Sequence, residues 1–183
     1  MVRFVIGRDL YAALGGHLGA RAEQVGFFLA EWQPDERAFR LREWRPVPPE
    51  GLEYQSDFHV SVTDEMRAEV IKWGWDSGLS LVEAHSHGKW GPARFSPSDL
   101  WGFEEWVPHL WWRLQGRPYA ALVTAGDTFD AIAWIEGPRA AEQVEALELG
   151  DGNTETLSAT GRTLREYDES ASNDGDEESD RGA

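Results

Sequence analysis

Residues 79–87, "LSLVEAHSH", decide how the chain is read. On a helix, this stretch would splay His85 and His87 apart. On a strand, it places them at i and i+2 on one face, close enough to share an ion. Leu79, Leu81 and Val82 form the apolar run of a buried strand, and Gly78 closes the element before it. The strand reading is adopted. Glu83 then shares the face of the two histidines and stands behind them as a supporting group.

Downstream, "SPSD" at 96–99 has the order of a helix start. Ser96 suits the cap, Pro97 the first helical position, and Asp99 the third. A carboxylate there is favoured by the helix dipole. Two His and one Asp supply three protein ligands, the set of a catalytic zinc site that keeps its fourth position for water. A plain polar turn between strand and helix is the alternative. The Ser96 hydroxyl also suits a cap with no chemistry at all, and the residues do not separate its two roles.

Working outward, "RDLYAALGGHLGA" (8–20) has the apolar spacing of a helix. "EQVGFFLAEW" (23–32) suits a buried strand, and "RAFRLREW" (37–44) its partner across a "PDE" turn. "DFHVSV" (57–62) reads as a strand and "TDEMRAEVIKWGWDSG" (63–78) as a capped helix. The helix from Ser96 is expected to kink or end at Pro108. Its Trp101 and Trp112, three turns apart, are expected to share a face in the core. "YAALVTAG" and "DAIAWIEG" read as strands, and "EQVEALEL" as a last strand or a short helix. His17 is expected on the surface of the first helix, His59 on a strand face and His109 near the kink. The pattern predicts an α/β (α+β) class with a mixed central β-sheet flanked by helices.

The chain has 183 residues and a net charge of −16. Such acidity opposes binding to phosphate backbones and to anionic membranes. The absence of cysteine removes disulfides, thiolate zinc sites and cysteine nucleophiles together. No signal peptide or membrane-length apolar run is read, so a cytoplasmic protein is expected. Residues 1–150 are expected to form one domain. Residues 151–183, rich in Gly, Ser, Asp and Glu, are expected to be a disordered acidic tail that can be removed without harming the fold.

Glu23 stands just before the buried strand, and spacing alone does not assign it a role. Here the chain resembles the JAMM/MPN (JAB1/MPN/Mov34) zinc metalloproteases. Their pattern is a glutamate before the first core strand, then His-x-His, a spacer and Ser-x-x-Asp. "AEQVGFFLA", with Gly26, and "HSHGKWGPARFSPSD" are similar to its two parts. The resemblance spans roughly residues 5–137 and departs at Gly88, where proline is usual, and in a spacer one residue longer. It implies the MPN (cytidine-deaminase-like) fold, with His85, His87 and Asp99 binding one zinc ion. It further implies Glu23 as general base and acid, and Ser96 as a donor to the tetrahedral oxyanion. Trp90, in the loop after the histidines, would wall an extended Gly-Gly tail. The implied activity is hydrolysis after the C-terminal glycine of a ubiquitin-like protein, by deconjugation or precursor processing. E1-like and E2-like proteins of a bacterial operon, including antiphage systems, are the implied partners. The alternatives are a metal hydrolase of a sulfur-carrier protein or small amide, and a non-enzymatic scaffold.

Overall fold

In the computed structural model, which describes residues 1–88, 91–150 and 155–165, the main sheet closes on itself. The elements are β1 (Val2–Ile6), α1 (Arg8–Leu18), β2 (Val25–Gln33), β3 (Ala38–Pro46), β4 (Leu52–Gln55), β5 (Val60–Val62) and α2 (Asp64–Ser77). They continue as β6 (Ser80–Ser86), α3 (Pro97–Arg113), β7 (Tyr119–Ala125), β8 (Thr128–Trp134), β9 (Ala141–Leu149) and β10 (Glu155–Ser158). The strand order is β1-β3-β2-β6-β7-β8-β9, and β1 pairs again with β9. Seven strands therefore form a closed barrel, with β10 added on the outer edge of β9. The expected flanked central sheet of an MPN fold is corrected by this closure. The cause lies in β1. Its Val2, Phe4 and Ile6 alternate inward, and it runs parallel to β3 on one side and β9 on the other. This five-residue strand, unread in the sequence, joins two edges that would otherwise stay open.

Alternation divides the apolar side chains into two cores. All seven barrel strands feed the first, which contains Phe4, Phe28, Phe39, Val82, Leu122 and Leu147. Helix α1 packs Leu14 and Leu18 against it. The second lies outside, where Phe27, Leu81 and Ala121 meet Val70 of α2 and Val107 and Leu110 of α3. Gly26 is required on the side of the first core, against which Trp44 packs. A Cβ would lie 2.3 Å from the Trp44 ring and 2.9 Å from the Arg45 carbonyl.

Helix α3 continues past Pro108 to Arg113, so the proline does not end it. An interior proline costs about 3 kcal/mol. Three buried side chains, Phe103, Val107 and Leu110, each contribute about 1.5–3 kcal/mol and hold both halves to the barrel. Trp101 and Trp112 are not core residues, being 70% and 72% exposed. The segment 155–165, assigned in the sequence to a disordered tail, adds β10 and a helical turn at 162–165. Among the described residues, no helix is long and apolar enough to cross a membrane.

Candidate metal centre

Strands β6 and β7 are parallel neighbours, so the chain must cross over between them, and α3 makes that crossing. The residues that leave the end of β6 and enter α3 meet there. His85 is buried near the end of β6, and His87 follows the strand with its N–H on the Thr124 carbonyl of β7 (2.8 Å). That bond extends the ladder and keeps both imidazoles on one face.

Asp99 comes from the first turn of α3 in a full capping box. Its Oδ2 accepts from the Ser96 N–H and hydroxyl, both at 2.7 Å, while the Asp99 N–H donates to the Ser96 Oγ (3.2 Å). The same Oδ2 lies 3.1 Å from His87 Nε2 and 3.6 Å from His85 Nε2, and the two Nε2 atoms are 3.2 Å apart. Ligand atoms about 2.0–2.1 Å from a tetrahedral zinc ion would be about 3.3 Å from each other. The three atoms therefore suit one face of such a tetrahedron. Among the described residues, these three form the one group of this kind.

Behind His85, Glu83 Oε1 lies 3.6 Å from Nδ1, and Glu83 Oε2 accepts the Tyr119 hydroxyl at 2.9 Å. A carboxylate facing Nδ1 favours the tautomer whose Nε2 lone pair is free for a metal. Burial opposes charging of His85, but Asp99 and Glu83 outweigh it and push its pKa up to about 10. Burial likewise works against ionisation of Asp99, yet bonds from His85, His87 and Ser96 hold it well below the usual carboxylate range. Without a metal, a proton on His85 thus sits between two carboxylates, where a cation would be held.

Glu23 is 6% exposed. Burial raises its pKa, and the nearby His87 and His85 pull the other way. Its backbone is pinned on both sides. The Glu23 N–H donates to the Ser56 carbonyl (2.9 Å), and the Gln55 side chain donates to the Glu23 carbonyl (2.8 Å). Ser86, between the two histidines, clamps the next residue. Its Oγ accepts the Gln24 N–H, and its own N–H donates to the Gln24 carbonyl, each at 2.9 Å. The serine of His-Ser-His thus ties the glutamate segment to the histidine strand.

The structure brings Glu23, His85, His87, Ser96 and Asp99 together. It shows the Ser96 hydroxyl engaged in the cap. Trp90 lies outside the described residues. Ser86, Gln55 and Tyr119 had no signal in the sequence, because only the tertiary fold makes them neighbours of the site. His59 was expected on a strand face. It lies just before β5, near enough to lower the Glu23 pKa. His17 is half-buried rather than superficial, with Nε2 donating to the Val25 carbonyl (3.1 Å). A cavity of about 750 Å³ opens beside His87 and Gly88, between α1 and the β7–β8 turn, with Leu14, Leu18 and Phe129 on its walls.

No protein-family model and no curated protein matches the chain. Among solved structures, it is similar to a protein from Desulfitobacterium hafniense, determined in solution. The TM-score is 0.51 at 16% identity, over 81% of this chain and 93% of that one. A protein from Salinibacter ruber, also determined in solution, has a TM-score of 0.44 at 18% identity, over 84% of this chain and 95% of that one. The first likeness shows a shared fold and does not bear on chemistry.

Proposed function

We propose that the chain is a zinc-dependent hydrolase of amide bonds. The observation that carries this reading is the triangle of His85 Nε2, His87 Nε2 and Asp99 Oδ2, 3.1–3.6 Å on a side, with a buried glutamate beside it. Zinc held by these atoms would supply Lewis acidity, polarising a carbonyl and making water nucleophilic near neutral pH. Glu23 accepts a proton from the attacking water and delivers it to the leaving amine as the C–N bond breaks. Its raised pKa brings it closer to the pH at which a base and acid are both effective. Glu83 and Tyr119 hold the His85 ring in its ligating orientation.

The residue pattern, rather than the barrel, supports a JAMM-type peptidase or isopeptidase. On that pattern, the substrate is the bond after the C-terminal glycine of a ubiquitin-like protein. The cavity beside His87 leaves room for an extended chain to approach the ligands.

The test uses purified protein, metal analysis and a ubiquitin-like fusion as substrate. About one zinc per chain is expected in the wild type, and His85→Ala should lose it. Glu23→Gln should keep zinc and slow hydrolysis by about 10²–10⁴-fold. Wild-type protein without zinc overturns the metal reading. A Glu23→Gln variant of full activity moves the base elsewhere, with Glu83 the next residue to try.

A further inference from the structure

Asp130, in the middle of β8, is fully buried and plays no part in the proposed chemistry. Its carboxylate receives five donors. Oδ1 accepts from the Ala131 N–H (3.0 Å), the Gln143 side chain (3.0 Å) and the Gly161 N–H (3.1 Å). Oδ2 accepts from the Thr163 N–H (2.9 Å) and the Thr163 hydroxyl (2.7 Å). Three of the five come from residues 161–163, so the carboxylate fastens this C-terminal segment to the barrel.

The segment in turn grips the loop that enters α3. The Thr163 hydroxyl gives its proton to Asp130 and so presents a lone pair, which accepts the Phe95 N–H at 3.1 Å. The Thr160 hydroxyl donates to the Ala93 carbonyl at 2.7 Å. From the β7–β8 turn, Thr128 Oγ1 accepts the Ala93 N–H at 2.9 Å. Phe95 also sets its ring edge-on to His85, with centroids 5.5 Å apart. The next residue is Ser96, whose capping box holds the Asp99 carboxylate. A line of bonds therefore runs from Asp130 through Thr163 to Phe95, and from there to Asp99.

We propose that Asp130 and Thr163 are positioning residues, through which the C-terminal segment 160–163 holds the loop 93–96 and sets the place of the Asp99 ligand. The functional part of this inference rests on the zinc-hydrolase reading, while the loop contact can be measured without any metal.

The test compares wild type, Thr163→Val, Thr163→Ser and Asp130→Asn. Valine keeps the shape of threonine and removes the hydroxyl, whereas serine keeps the hydroxyl. In Asp130→Asn, an amide group replaces one acceptor oxygen and loses donors that the carboxylate receives. Amide hydrogen exchange at Phe95, Ser96 and Asp99 reads the loop, and competition with a chelator reads zinc affinity. Thr163→Val should speed exchange at all three amides and weaken zinc by about 10–100-fold, the usual effect of losing a group behind the ligands. Thr163→Ser should restore both. Asp130→Asn should act as Thr163→Val does. A lower Tm in Thr163→Val, with exchange and zinc affinity unchanged, overturns the proposal and leaves a purely fold-stabilising contact. If the wild type binds no zinc, the hydrolase reading fails by itself. Exchange then decides: faster exchange in Thr163→Val sustains the loop contact, and unchanged exchange ends it.

Discussion

Glu23 combines burial with two neighbouring histidines, and burial wins, leaving its carboxyl above the ordinary value. Folding therefore favours the protonated form. Its contribution to stability is present below the unfolded value and is lost as pH rises through the folded one. Glu23→Gln is neutral at every pH. In chelator-treated protein it should match wild type in acid and exceed it in Tm as pH rises through the raised value, as thermal melts across pH will show. His85 has the same sign for a different reason, the pull of Asp99 and Glu83 on its proton. Its proton, held up to a pKa of about 10, contributes stability below 6.5 that is lost as pH rises through 10. Zinc bound as proposed would have to displace that proton. Binding at pH 7–8 should release about one proton per ion from His85, and apparent affinity should rise with pH. Calorimetry in two buffers of different ionisation enthalpy measures the release; zinc uptake with no proton release contradicts this account of the site.

Among the elements, β2 and β6 do most to assemble the site. Their antiparallel register sets Val25 against His85, and the Ser86–Gln24 clamp extends the pairing toward Glu23. Gly26 leaves room for the Trp44 ring on β2, where Trp44 also meets Phe28 with centroids 4.4 Å apart and the rings tilted. Gly26→Ala forces Trp44 or the β3 backbone to move, a cost of about 1–3 kcal/mol. Its Tm should fall by about 2–4 °C per kcal/mol. An unchanged Tm means that Trp44 has another rotamer to adopt. The helix start at Ser96 was legible because capping is local, with donor and acceptor within four residues. The fate of Pro108 was not legible, because what carries α3 past it is burial against strands far away in sequence.

At the scale of the whole molecule, closure is the deciding event. Parallel pairing of β1 with both β3 and β9 turns a sheet with edges into a barrel. The C-terminal segment then seals the outside, through β10 on β9 and through Asp130. Deleting residues 151–183 removes three of the five donors from a buried carboxylate, and an unsatisfied buried group costs about 1–3 kcal/mol. The truncated protein should melt several degrees lower, contrary to the removable tail expected from composition. Equal melting curves would show that Asp130 finds other partners or water.

Local chemistry could be read from the sequence alone. The strand alternation that pairs His85 with His87, the cap that presents Asp99 and the turns around Pro34–Glu36 and Gly78 all depend on residues a few positions apart. The three candidate ligands were therefore visible in one dimension, whereas Glu23, far earlier in the chain, was picked out only by the family resemblance. Closure of the barrel, the Ser86 clamp, the Tyr119–Glu83 support and the hold of Thr163 on Phe95 were decided by tertiary structure. Each joins segments from 36 to more than 100 residues apart, as Tyr119 joins Glu83 and Val2 joins Val144. Such contacts form because the whole apolar interior must be buried at once, and no local spacing records which strand becomes whose neighbour.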